Sequence, residues 1–101
     1  MLYQLAVPGP IEDVEELRVL EWHGAPGDSF AAGDLVVELE THKAVVEVRA
    51  ARPGILRAIL APPGDWQQLG NPLAIVSDEP DEPLPSGAGD LAPLLVEFEV
   101  T

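Results

Sequence analysis

The stretch PGDSFAAGDLVVEL, residues 26–39, recurs as PGDWQQLGNPLAIV at residues 63–76. Pro26, Gly27, Asp28 and Gly33 fall in register with Pro63, Gly64, Asp65 and Gly70 at a constant offset of 37 residues. Each copy is a Pro-Gly-Asp turn, a short connector, a glycine turn and an apolar run. Glycine suits such turns because it adopts positive φ without steric penalty. Asp28 and Asp65 are therefore read as turn stabilisers and not as a catalytic carboxylate pair. A unit this short cannot bury a core of its own, so two copies must pack together around one apolar interior. The expected fold is all-β, a flattened β-barrel or sandwich of two pseudo-two-fold related four-stranded halves. Such an axis sends equivalent ends of the halves to opposite poles and puts a hairpin near residues 41–43 at one of them.

The rest of the chain agrees with strands. LYQLAV at 2–7 is a short run closed by Pro8-Gly9-Pro10. LRVLEW at 17–22 alternates, with Leu17, Val19 and Glu21 on one expected face and Arg18, Leu20 and Trp22 on the other. In 34–41 the split is Leu35, Val37 and Leu39 against Val36, Glu38 and Glu40; in 43–49 it is Ala44, Val46 and Val48 against Val45, Glu47 and Arg49. A period of two is the mark of a half-buried strand. GILRAIL and PLAIV add two more runs. EDVEEL at 12–17 has the composition of a helical turn. The prolines before it and the β-branched run after it make it a loop leading into a strand.

The globular part ends near residue 78. Residues 79–93 are rich in Pro, Gly and acid and read as a linker or extended segment. LLVEFEVT at 94–101 alternates again, with Val96, Phe98 and Val100 facing one way. Three roles stay open for it: an added strand, an edge for another chain, or the first strand of a further domain.

Composition narrows the function. Eighteen Asp and Glu against five Lys and Arg give a net charge of −13, which repels nucleic-acid backbones and anionic membranes and favours partners with basic patches. With no cysteine, neither a disulfide framework nor a thiolate metal site is available. No apolar run has membrane-spanning length and the N-terminus lacks the basic start of a signal peptide, so the expected location is the cytoplasm. His23 and His42 lack ligand spacing, and no metal site is expected. Trp22 is expected in the core, and Trp66 in a turn or at the surface.

Lys43 is the only lysine, while arginine fills the other four basic positions. At a hairpin tip a lysine keeps an edge soluble. Its uniqueness points instead to chemistry closed to a guanidinium: an amine that loses its proton can attack an activated carboxyl group and form an amide.

ELETHKAVVEV at 38–48, with GDSFAAGD at 27–34 and ARPGILRAIL at 51–60, resembles a lipoyl domain of 2-oxoacid dehydrogenase complexes. The resemblance covers residues 1–78 and rests on Glu40, Thr41 and Ala44 around Lys43, with Gly27 sixteen residues before it and Gly54 eleven after it. Val14 and Trp22 also stand at family spacing. Two positions depart: His42 stands where the family usually has Asp, and Leu17 where many members have glycine. The resemblance implies lipoic acid attached covalently to Lys43, with Glu40, Thr41, His42, Ala44, Gly27 and Gly54 as recognition or framework positions. It implies a non-catalytic carrier served by a lipoate ligase or lipoyl transferase. Its further partners would be a 2-oxoacid decarboxylase component, an acyltransferase and dihydrolipoamide dehydrogenase, with pyruvate dehydrogenase one such complex. The location implied is bacterial cytoplasm, or the mitochondrial matrix in a eukaryote. Two alternatives stand beside it. One is a biotin carrier of a carboxylase, although Thr41-His42-Lys43-Ala44 lacks the methionines usual there. The other is an unmodified barrel used as a protein-interaction module. His42 is read either as a solvated turn residue or as a titrating group beside the arm.

Overall fold

The computed structural model describes residues 1–101 as ten strands without a helix. They are β1 (Leu2–Ala6), β2 (Glu16–Trp22), β3 (Ser29–Phe30), β4 (Leu35–Glu40), β5 (Val45–Ala50), β6 (Gly54–Ile59), β7 (Trp66–Gln68), β8 (Pro72–Ser77), β9 (Ala92–Pro93) and β10 (Val96–Val100). Two five-stranded sheets face each other without closing into a barrel: β3-β6-β8-β1-β9 and β10-β5-β4-β2-β7. Setting β9 and β10 aside, each sheet has four strands, as the repeat predicts. The halves interleave, however. Each sheet takes two strands from residues 1–40 and two from residues 45–77, so neither half forms a sheet by itself.

The internal symmetry reaches individual hydrogen bonds. Gly27 N–H donates to the Leu56 carbonyl at 2.7 Å, and Gly64 N–H donates to the Val19 carbonyl at 2.8 Å. In return, Leu56 N–H donates to the Asp28 carbonyl at 2.9 Å, and Val19 N–H to the Asp65 carbonyl at 2.8 Å. The four repeat glycines share one conformation, with φ of 100° at Gly27, 94° at Gly64, 90° at Gly33 and 87° at Gly70. That left-handed region strains other residues, which is why the repeat is spelled with glycine. The Asp28 carboxylate accepts from Ala25 N–H at 2.9 Å, as a turn stabiliser should. No side-chain bond is made by Asp65.

Bulges also repeat. The register of β2 against β4 skips Leu20, and that of β6 against β8 skips Arg57. Val36 in β4 and Leu73 in β8 are skipped in the same way. These extra residues correct the faces expected from simple alternation. After the bulge at Leu20, Glu21 turns to solvent and Trp22 turns toward the core, where its indole N–H reaches the Ala61 carbonyl at 2.9 Å. After the bulge at Val36, both Val36 and Val37 are buried. The core is otherwise the expected apolar set, including Leu5, Leu17, Val19, Leu39, Val46 and Val48. Burying one such side chain stabilises by about 1.5–3 kcal/mol, enough to fix strand register.

Strand β10 of the tail joins one sheet, and β9, at the end of the preceding segment, joins the other. Arg57 donates to the carbonyls of Glu79 and Glu82 at 3.0 and 2.7 Å, fastening the segment expected as a linker. Gln4 donates through its side chain to the Leu91 carbonyl at 2.7 Å and accepts from Leu94 N–H at 2.8 Å. Ala88 and Leu94 are buried. β9 lies parallel to β1; the chain then crosses to the other sheet, where β10 runs antiparallel along β5. Val96 and Phe98 pack on the core as the alternation predicts, whereas Val100 stays half exposed.

Candidate functional site

β4 and β5 form the hairpin that carries Lys43, and residues 41–44 join them with His42 and Lys43 at the tip. Neither tip residue has the positive φ that shorter hairpin loops usually need. Thr41 braces the turn. Its N–H donates to the Ala44 carbonyl at 2.8 Å, closing the ladder. Its hydroxyl oxygen accepts from Lys43 N–H at 3.0 Å and from Ala44 N–H at 2.9 Å, standing in for the carbonyl of an ordinary turn. Thr41 is one of two buried polar residues in the chain, at 8% exposure. The backbone of the loop is thus held from below while the side chains of His42 and Lys43 project into solvent. No ion pair or hydrogen bond engages the Lys43 amine.

Around the tip the charge is mostly negative. Arg18 in β2 faces Glu40 in β4 and pairs with it directly, so Glu40 anchors the base of the hairpin. His42 lines an open groove of about 710 Å³ with Asp13, Val14, Glu15, Glu16 and Trp66. Trp66 sits opposite Arg18 on β7 with half its surface exposed. Asp13, at φ 61°, is the one non-glycine residue with positive φ and turns the loop that forms the groove wall. Farther down the same sheet face, Glu21, Glu38, Glu47 and Glu99 stand directly opposite one another on four adjacent strands. His23 Nε2 lies 2.6 Å from the Glu38 carboxylate; with Glu21 they bring three ligand-type atoms within 4.8 Å of one another. Sequence spacing missed that trio because cross-strand pairing, not proximity along the chain, assembles it.

Glu40, Thr41, His42, Lys43 and Ala44 are thus gathered at one tip, but Gly27 and Gly54 are not. Gly27 lies in the turn between β2 and β3, and a Cβ there would meet nothing within 4 Å, so its φ is the constraint. Gly54 is a steric requirement: a Cβ would come within 2.8 Å of Phe30 and 2.9 Å of Val76. Leu17, the family departure, is its equivalent in the other half. Gly54 pairs with Phe30, and Leu17 pairs with Gln67. One half places the large apolar side chain on β3, the other on β2. The Leu17 departure is an exchange of volume between paired positions.

The family model described as "Biotin-requiring enzyme" matches residues 3–76, which include the hairpin and exclude β9 and β10. The chain is 37% identical over 75 residues to the dihydrolipoyllysine-residue succinyltransferase component of the 2-oxoglutarate dehydrogenase complex from Staphylococcus saprophyticus, covering 74% of this chain and 18% of the relative. It is 35% identical over 77 residues to the mitochondrial pyruvate dehydrogenase complex protein X component of Chaetomium thermophilum, covering 75% and 17%. The succinyltransferase component from Escherichia coli strain K12 is 42% identical over 60 residues, 59% of this chain and 15% of the relative. The chain therefore spans less than a fifth of the length of these relatives. A solvent-directed lysine on a braced two-residue tip, set in a repeated all-β sandwich that the family model matches across both halves, places the chain in the biotin/lipoyl attachment family as a lipoyl domain.

Proposed function

We propose that this domain carries lipoic acid in amide linkage on Lys43 and presents it as a swinging arm in a 2-oxoacid dehydrogenase-type complex. The observation that carries this reading is the Lys43 tip: an exposed, unpartnered amine on a loop whose backbone is fixed by Thr41. A primary amine of this kind fits the group, because attachment requires only that Nζ lose a proton and attack an activated carboxyl carbon, expelling its leaving group. When bound, the group supplies a dithiolane whose strained disulfide accepts electrons and an acyl group together.

The chain's own residues do the remaining work. Thr41 holds the loop so that the arm leaves from one defined point. Glu40 and Arg18 lock the two strands beneath it. His42, with Asp13, Glu15, Glu16 and Trp66, forms the surface a partner meets beside the arm. The domain contributes attachment, presentation and recognition, and tethering raises the arm's effective concentration at each partner site. The partners proposed are a lipoate ligase or lipoyl transferase, the 2-oxoacid decarboxylase component, the acyltransferase and dihydrolipoamide dehydrogenase. The proposed compartment is the bacterial cytoplasm or the mitochondrial matrix.

The test is ligation in vitro. The purified domain is incubated with lipoate and a lipoate ligase, and separately with biotin and a biotin ligase, and its intact mass is measured. One lipoyl addition that disappears in Lys43→Arg supports the reading. Addition of biotin alone would make this a biotin carrier, and addition of neither would leave an interaction module.

A further inference from the structure

The two sheets present four edges, and three of them are blunted by brevity: β3 and β9 have two residues each and β7 has three. β10 is the exception, five residues long and outermost in its sheet. Its hydrogen bonding to β5 shows which backbone groups remain free. Thr101 and Val45 exchange bonds at 2.8 and 3.2 Å, and Ala51 N–H donates to the Leu95 carbonyl at 3.3 Å. Antiparallel pairing has a two-residue period, so the odd-numbered residues of this strand turn their backbone groups to β5. Val96, Phe98 and Val100 turn theirs away from the sheet.

The side chains on this edge define what fits it. On the solvent face of the sheet stand Glu97 and Glu99, both exposed, and Glu99 ends the row of four glutamates across the sheet. On the other face Val100 is 50% exposed, while Leu95, just before the strand and on the side of Glu97 and Glu99, is 71% exposed. A second copy of the chain pairing antiparallel through β10 would bring Glu97 and Glu99 against their own counterparts, with −13 charges on each molecule. A strand with basic residues facing Glu97 and Glu99, and apolar residues on the other face, meets no such repulsion.

We propose that the free edge of β10 is a β-augmentation site for an extended partner segment that alternates basic and apolar residues. Main-chain bonds to Val96, Phe98 and Val100 supply affinity, and the carboxylates of Glu97 and Glu99 select charge. Because Thr101 pairs with Val45, two residues from Lys43, a segment docked there lies one strand away from the Lys43 hairpin. The site does not require Lys43 to be modified, so it stands or falls separately from the carrier reading. It also lies outside the residues matched by the family model.

The experiment titrates the isotopically labelled domain with the peptide acetyl-Lys-Val-Arg-Val-Lys-Val-Arg-amide, with a scrambled peptide of the same composition as control, followed by amide resonances and hydrogen exchange. The expected result is shifts and added protection at the amides of Val96, Phe98 and Val100, with at least tenfold weaker binding of the scrambled peptide. Glu97→Lys with Glu99→Lys should weaken binding at least tenfold. Val100→Pro should abolish it while leaving core resonances unchanged, because it removes an outward donor and no bond to β5. Equal binding of both peptides, shifts spread over the acidic surface without these amides, or unchanged binding by Val100→Pro would each overturn the proposal. So would self-association through β10 in the absence of peptide, seen by sedimentation, since the occupant would then be a second copy.

Discussion

The two poles of the sandwich are built on one plan but differ in whether the chain bridges them and in the charge of the groups that meet there. At one pole Thr41 N–H donates to the Ala44 carbonyl and the Thr41 hydroxyl accepts from Ala44 N–H. At the other, Asp78 N–H donates to the Met1 carbonyl at 3.4 Å and the Asp78 carboxylate accepts from the Met1 amine at 2.5 Å. The first pair is joined by His42 and Lys43; the second pair is where the chain is open. The arm-bearing loop is therefore a minimal bridge across a junction that the fold makes in any case. Chemistry at the junction follows from its partners: a neutral hydroxyl meets neutral N–H groups at the closed pole, and carboxylates meet an ammonium at the open one.

If the halves were interchangeable, Leu17 would tolerate glycine, because Gly54 holds the equivalent place. The volume exchange with Phe30 says otherwise. Leu17→Ala, at a residue 1% exposed, should cost about 2–5 kcal/mol, read as a lower urea midpoint with an unchanged slope. Conversely, Gly54→Ala should cost about 1–3 kcal/mol by overpacking, and Phe30→Leu in the same chain should recover part of it. Simple additivity of those two substitutions would break the account of the exchange.

At the closed pole, Thr41→Val keeps the shape and removes the acceptor of two N–H groups. A loss of about 1–3 kcal/mol is expected, with faster amide exchange at Lys43 and Ala44 and slower ligation at Lys43. Unaltered exchange at both amides would show that the hydroxyl does not hold the loop. Gly27→Ala and Gly64→Ala should each cost about 1–2 kcal/mol and be equal within experimental error, since both have φ near 100° and open space around the missing Cβ. A large inequality would mean that the turns are less alike than their bonds.

The smallest effect is at the open pole. Asp78, joined by Glu82, raises the Met1 amine from 8.0 to about 10, and the amine in turn lowers both carboxyls. A raised ammonium contributes stability that is complete below about pH 8 and is lost as pH rises through about 10. The lowered carboxyls contribute stability present above their ordinary range and lost as pH falls below it. Met1 and Asp78 are exposed and Glu82 is half-buried at the surface, so the effect is slight and screened by salt. Comparing thermal midpoints of the free and Nα-acetylated protein between pH 7 and 10.5 isolates it. The difference should shrink toward zero at the high end, and a constant difference would contradict the pairing.

Much of this was legible in the sequence because the repeat is spelled in glycines, and glycine reports backbone geometry directly. The strands, the hairpin and the exposure of Lys43 follow from that spelling and from period-two alternation. What alternation cannot show is a bulge. Leu20, Val36, Arg57 and Leu73 look like ordinary strand residues, yet each shifts the faces after it. Cross-strand neighbours are equally hidden: nothing local places Trp66 beside Arg18, or aligns Glu21, Glu38, Glu47 and Glu99. The acidic, proline-rich stretch 79–93 has the composition of a free linker, but it is fastened by Arg57 and Gln4, whose roles depend on where the chain returns. In the sequence Thr41 and Gly54 stand out only through the family resemblance; the hydroxyl bridge and the Phe30 contact supply the reasons.

The central claim is that Lys43 is the attachment point of a lipoyl group. The most direct test is intact and fragment mass analysis of the protein purified from its own host. The account predicts one lipoyl addition, confined to the fragment containing Lys43 and absent from Lys43→Arg. An unmodified lysine under conditions in which other lipoyl proteins of that host are fully modified would contradict it.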